Sequence, residues 1–513
     1  MLKFFLFLCQ SCVTVKVVKG NDGQHSGFYI LLFSAGERLL FFFCIFLPPY
    51  WSDFKFLISD FFFFARCAII APRMEKPTME NNKFAAKMLD FINRSPTSFH
   101  AVSNLKALLI ENGYTELKEE SRKWALESNK KYFVTRNSSA LIAFKLPEAD
   151  FDAFLITASH SDSPSFKIKE NASIKAAGTL VLNVEKYGGM LCAPWFDRPL
   201  SVAGRIVLAE RKSGFVALTE KLVNIDRDLV LIPNLAIHMN REANTGTKYN
   251  VQDDMLPVLT TDQSSSILDV VAQSANVKKE DIESADLFLY NRDKGTFWGK
   301  DNEFVASPRL DDLECVYSCA SAFISASENK KNVQVLAVFD NEEVGSGTRQ
   351  GADSTFLEDT LRRINLSFAA RGEEEYFSAI AKSFMVSADN AHAFHPNFQS
   401  KADPVNRPVV NKGIVIKFNA AQKYTTDSLS AALFQSVCKN ASVPYQFFTN
   451  RSDIAGGSTL GNISTSHVPL KTVDIGLAQW AMHSPMESAG ALDAEYLEKA
   501  LKEFYQTTLE TKQ

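Results

Sequence analysis

Near residue 90 the apolar positions recur with a helical period. Phe84, Met88, Leu89 and Ile92 share one face of a predicted helix that ends at "NRSP", and Phe99, Val102, Leu105 and Leu109 share one face of a second that closes at Gly113. The far end repeats the pattern, with Asp493 as the expected N-cap of a helix whose stripe is Leu497, Leu501 and Phe504. Between them lie four runs, "FDAFLITASHSDS", "VQVLAVFDNEE", "SFMVSADNAHA" and "KTVDIGLAQWAMHS", each nearly continuous in aliphatic residues and each ending in polar ones. Strands of that composition are buried on both faces, which predicts an α/β fold with a mostly parallel sheet covered by helices. Ligands of such sheets collect beyond the carboxyl ends of the strands, where all four polar clusters fall.

The span 169–290 has another texture. Its runs "GTLVLNVEKYGG", "SVAGRIVLAE", "SGFVALTEKLVNI" and "LVLIPNLAIHM" are strand-like and separated by turn residues, with few helical stretches until Ser264. They predict a mostly β domain inserted into an α/β domain made of 79–168 and 291–513. The segment 1–78 fits neither pattern: 15 of the 41 phenylalanines crowd into its first 73 residues without an amphipathic period. Its apolar runs are too short to span a bilayer, so no membrane role is expected, and its opening has only a brief signal-like core. The expectation is that this segment precedes the true start, with Met74 or Met79 as initiator.

Composition narrows the function. A formal net charge of -4 without any long Lys/Arg block leaves no electrostatic footprint for nucleic acid or anionic lipid. Four of the eight cysteines fall in the first 73 residues, and the other four, Cys192, Cys315, Cys319 and Cys438, are scattered without CxxC spacing, which points to reduced thiols and a cytoplasmic location rather than a disulfide framework. "GSGTRQG" lacks the Lys-Ser/Thr ending of a P-loop and follows two acids that would repel phosphate, and no GxSxG elbow occurs.

Each polar cluster alone has an ordinary structural explanation. His160 and Asp162 in "SHSDSP" suit a turn, Asp311 in "PRLDDL" suits a helix start, Glu342 and Glu343 suit a wet loop, Asp389 suits an N-cap, and His483 suits a surface or a core. Together they form a metal inventory of two imidazoles and several carboxylates, suited to zinc, manganese or cobalt, in which one carboxylate can bridge two ions. Adjacent Glu342 and Glu343 then cease to be a liability, because one can ligate while its neighbour takes a proton from water.

In order, "SHSDSP", "VEKYGG", "WFDRPLSVAGR", "IPNLAIHMNR", "SPRLDDL", "FDNEEVGSGTRQGADS", "SADNAHAFHPN", "NKGIVIKFN", "NRSDIAGGSTLG" and "AMHSPMESAG" make the chain from Met79 onward resemble the aspartyl aminopeptidase family of two-zinc metallopeptidases. The last two of these motifs are closer to bacterial members. The resemblance implies one metal on His160 and Asp389, a second on Glu343 and His483, and Asp311 bridging both. It further implies that Glu342 is the general base, Asp162 orients His160, and Lys417 meets an acidic first side chain of a peptide substrate. The inserted domain would be the family's dimerisation domain, His238 would reach a neighbouring subunit's active site, and the subunits would form a homo-oligomer built from dimers, up to a tetrahedral dodecamer. A metal-dependent N-acyl amino acid deacylase and a non-catalytic assembly protein that retains the fold are the rival readings.

Overall fold

The structure, a computed structural model, describes Cys12–Asn21, Ser26–Ser34, Phe41–Ile45 and residues 82–508. The chain divides into two compact units, Met1–Lys76 and Pro77–Gln513. In the first, the three strands pair as an antiparallel sheet in chain order. Met74 and Met79, and with them the expected start of the protein, lie outside the described residues.

The second unit is organised by a nine-stranded sheet. From one edge the strands run Tyr445–Thr449, Ile414–Phe418, Lys471–Gly476, Phe384–Ala388, Ala153–His160, Asn332–Phe339, Ala140–Lys145, Lys131–Arg136 and Thr115–Leu117. The four central strands, which are the four aliphatic runs of the sequence, pair in parallel. Ala153–His160, Asn332–Phe339 and Phe384–Ala388 are buried along their whole length because helices cover both faces. Side chains alternate across the pleat. Leu155, Leu336 and Val386 pack with Met88, Leu105, Phe323 and Leu497 on one side. Phe154, Ile156, Val335 and Met385 pack with Leu361, Ile364 and Ile380 on the other.

The predicted N-terminal helices form as Lys83–Asn93 and Ser98–Glu111. The C-terminal helix, Asp493–Gln506, carries the expected stripe, but Leu492 occupies its N-cap. The Asp493 carboxylate instead accepts the Asn411 and Gly413 backbone N–H groups, tying the helix start to the turn before Ile414–Phe418.

A second, fully antiparallel sheet of six strands orders Phe215–Asn224, Leu200–Lys212, Ile282–Asn291, Ser165–Ala176, Thr179–Tyr187 and Val258–Thr260 around its own apolar cluster. One predicted strand is absent from it. "LVLIPNLAIHM" makes only isolated bridges at Val230, Leu231 and Ile232, and from Pro233, which has no N–H to give a ladder, the chain runs exposed through a turn over Ala236 to Asn240.

A small mixed sheet containing Phe304–Ser307, Glu487–Gly490, Ala478–Trp480 and Ala391–His392 lies next in the chain to the helix Leu310–Ser325 and to Asp389, and so brings later segments to the strand ends.

Candidate metal centre

The predicted residues occupy the carboxyl ends of the central strands. His160 is the last residue of its strand, and the strand Asn332–Phe339 is followed within three residues by a short helical turn, Glu342–Val344. Asp389 follows Phe384–Ala388 directly, while Asp311 opens the helix Leu310–Ser325 and His483 lies just beyond Ala478–Trp480. Gly476 permits this arrangement, since a Cβ there would come within 1.9 Å of the Asp389 carbonyl oxygen.

The five side chains converge. His160 Nε2 is 3.5 Å from Asp311 Oδ1 and 3.9 Å from Asp389 Oδ1. His483 Nε2 is 3.5 Å from Asp311 Oδ2 and 3.4 Å from Glu343 Oε2. Asp311 therefore turns one oxygen toward each histidine. Ligand-type atoms of His160, Asp311, Asp312 and Asp389 all lie within 4.8 Å of one another, as do those of Asp311, Glu343 and His483, and those of His160, Glu342 and Glu343.

Asp162 braces this cluster from behind. Its backbone carbonyl is 3.1 Å and its Oδ1 3.4 Å from His160 Nδ1. The same carboxylate accepts the Glu342 N–H at 3.1 Å, the Glu343 N–H at 3.2 Å and the Tyr187 hydroxyl at 2.7 Å. Asn341 in turn donates to the Tyr187 oxygen at 2.8 Å.

Two acidic groups, an asparagine and a tyrosine carry more than the sequence indicated. Glu487 accepts the Asp311 N–H at 3.0 Å on one oxygen and the His483 N–H at 2.6 Å on the other, so one side chain holds two segments that each supply part of the cluster. Asp312 accepts the His160 N–H at 3.1 Å. Asn390 donates to Leu310 O at 3.1 Å, fixing the segment beside Asp389 to the helix that opens with Asp311. Tyr187, Asp312 and Glu487 all stood in quoted motifs, "VEKYGG", "SPRLDDL" and "AMHSPMESAG". What they serve is mostly backbone N–H, which no side-chain pattern announces.

Lys417 sits beside the cluster, 2% exposed, with Nζ 3.0 Å from Asn390 O and 3.4 Å from Asp389 Oδ2. His238 is elsewhere, on the exposed turn after Pro233, and is not among the gathered residues.

The electrostatics fit a cation. With protein groups alone, burial pushes Glu342 up to about 8 and Glu343 well above the carboxylate range, with Asp311 and the other acids adding to the effect. Burial would lower His160, but Asp312, Asp162 and Asp311 outweigh it and raise the imidazole well above its usual value. Glu343 Oε1 and Asp312 Oδ1 are buried without a hydrogen-bond partner. Acceptor-only oxygens left bare in such crowding are costly unless a positive charge lies among them. The mixed imidazole and carboxylate donor set is that of zinc.

Comparison with known proteins agrees. The family model of the aminopeptidase I zinc metalloproteases (M18) matches residues 91–505. The probable M18 family aminopeptidase 2 of Clostridium acetobutylicum is 48% identical over 431 residues, 82% of this chain and 98% of that protein. The protein of the same description from Ectopseudomonas mendocina is 40% identical over 428 residues, 82% and 97% of the two chains. Among solved structures, a chain of the Ape4 and Nbr1 complex superposes with TM-score 0.80 at 36% identity over 84% of this chain and 87% of its own. The S. cerevisiae mApe1 dodecamer gives TM-score 0.72 at 27% identity over 83% and 97%. With the family model covering most of the catalytic unit and relatives matched over nearly their full length, the chain belongs to the M18 family of zinc metalloaminopeptidases.

Proposed function

We propose that the protein removes N-terminal residues, with a preference for acidic ones, from peptides by attack of water that Glu342 deprotonates. The observation that supports this reading is the convergence of His160, Asp311, Glu343, Asp389 and His483, from distant parts of the chain, with Glu342 beside them. His160 and Asp389 would hold one zinc ion, Glu343 and His483 a second, and Asp311 both; cobalt or manganese suits the same donors. Bound there, a zinc pair would lower the pKa of water and act as a Lewis acid toward the scissile carbonyl.

The chain's own groups have separate tasks. Glu342 takes a proton on its carboxylate and returns it to the departing amine, a general acid/base contribution of order 100- to 10,000-fold. Asp162 keeps the Nδ1 side of His160 occupied, which presents Nε2 to the centre, and it fixes the backbone on which Glu342 and Glu343 stand. Lys417 has one N–H left beyond its two neighbours, and we assign it to the carboxylate of an acidic first side chain.

The inserted 169–290 domain is proposed to make dimers. In support, its edge strand Phe215–Asn224 exposes Phe215, Val216 and Leu218 at 53%, 63% and 64%. Similarity to the mApe1 dodecamer extends this to a larger homo-oligomer, with His238 offered to a neighbouring subunit. We place the enzyme in the cytoplasm, in keeping with free thiols at Cys192, Cys315, Cys319 and Cys438; among the described residues no helix is long and apolar enough to cross a membrane.

A panel of unblocked peptides and N-acyl amino acids, assayed with zinc, cobalt and manganese added separately, tests the reading. Hydrolysis restricted to free N-termini is expected. Turnover of the N-acyl compounds alone would favour the deacylase, and no turnover of either with metal bound would favour an assembly protein.

A further inference from the structure

Behind the candidate metal centre lies a cavity of about 410 Å³, between the strand ends and the six-stranded sheet. None of His160, Asp311, Glu342, Glu343, Asp389 and His483 lines it, although Asp162 and Glu487, which brace them, do. A space of that size takes a small organic molecule.

The charges on its wall are unbalanced in a specific way. Lys167 and Arg205 face the cavity but are both paired with Asp286. Arg309 also lines it, and among the described residues no carboxylate forms an ion pair with its guanidinium. One Arg309 nitrogen donates to Ile92 O at 3.2 Å, and its Nε is buried with no partner at all. Trp195, 3% exposed and on the same wall, likewise has a buried indole N–H without an acceptor. Asp340 faces the same cavity and is also 3% exposed; its carboxylate accepts the N–H of neighbouring Asn341 at 2.8 Å, and no cation of the described residues pairs with it. Burying an unpaired cation and an orphan donor beside a carboxyl group that has no cation partner, and that burial and Asp162 push up to about 7, is expensive unless something of matching charge enters the space. Phe99 and Phe288 supply apolar wall.

We propose that this cavity binds a free α-amino acid, its carboxylate toward Arg309 and the Trp195 indole N–H, its ammonium toward Asp340. A single anion would leave Asp340 bare, and a single cation would leave Arg309 bare. A small zwitterion answers both. The amino acid released by an exopeptidase is of this class, so occupancy links product to a wall that also contains Asp162, Tyr187 and Glu487. That link rests on the proposed function; the binding itself does not.

The test is calorimetric titration of the metal-replete protein with leucine, leucinol and N-acetyl-leucine, with peptidase activity assayed separately. Saturable binding of leucine at one site per chain is expected, with at least a tenfold loss for leucinol and for the acetylated form. The site should persist within about twofold in Asp311→Asn, whose metal centre is dismantled, and weaken at least tenfold in Arg309→Gln and in Asp340→Asn. Leucine binding that disappears in Asp311→Asn and survives in Arg309→Gln would place it at the metals and overturn the proposal. So would absence of saturable binding, or equal affinity for the two analogues, which needs only the wild-type chain and stands even if a variant does not fold.

Discussion

The Asp162 carboxylate lies 3.4 Å from His160 Nδ1 and also accepts the backbone N–H of Glu342 at 3.1 Å. One side chain thus fixes the orientation of a candidate ligand and the position of the candidate base. Tyr187 completes the brace at 2.7 Å. Replacing Tyr187 with Phe removes that donor and leaves a buried carboxylate oxygen less well satisfied. It should lower kcat by about tenfold and stability by about 1 kcal/mol, with metal retained. Unchanged kcat in the metal-replete variant would separate the brace from the chemistry.

Glu342→Gln should keep its metal and lose most turnover, by about 100- to 10,000-fold in kcat, because the amide cannot accept the proton. Metal analysis alongside steady-state kinetics decides it; a variant with full peptidase activity removes Glu342 from the role of base.

Asp311→Asn should lose metal and activity together. Its two oxygens face the two histidines at 3.5 Å each, and an amide offers one weak acceptor in place of two charged ones. Dialysed protein that retains its full metal content would contradict the bridging assignment.

Lys417→Leu should cost a peptide with an acidic first residue more in kcat/KM than one with a neutral first residue, by about tenfold or more. An equal loss on both would assign the ammonium to holding Asp389 and Asn390 O, which it already contacts, and would take specificity away from it.

His100 predicts a pH dependence away from the metals. Its Nδ1 is 2.8 Å from Thr97 Oγ1, and burial, with help from the Arg309 charge, lowers its pKa from 6.5 to about 4. Between those values the unfolded chain binds a proton that the native state refuses, so this contribution is complete above pH 6.5 and is lost as pH falls toward 4. In chelator, wild type should lose on the order of 1–3 kcal/mol more than His100→Gln across that window in urea unfolding. Parallel curves for the two proteins would refute it.

Much of this architecture was readable because burial on both faces leaves a continuous aliphatic signature, and Phe154 to Ala158 or Val333 to Phe339 have no other soluble use. The polar ends of those runs then located the candidate ligands. What escaped the sequence was of two kinds. "LVLIPNLAIHM" has strand composition, yet Pro233 ends its pairing after three bridged residues. Asp493 has the residue type of a cap, yet its carboxylate serves a turn more than 80 positions upstream in the chain, at Asn411. Glu487 belongs with it: long-range acceptors of backbone N–H carry no periodicity and no partner side chain to pair with.

The double grip of Glu487 also joins segments that are synthesised at different times. Glu487 and His483 follow Asp311 far along the chain, so a nascent chain that has reached only the middle strands has Asp162 to hold His160 and Glu342 but neither the His483 imidazole nor the clamp on the Asp311 backbone. The full set of candidate ligands with its clamp is therefore assembled only once the chain has passed Glu487.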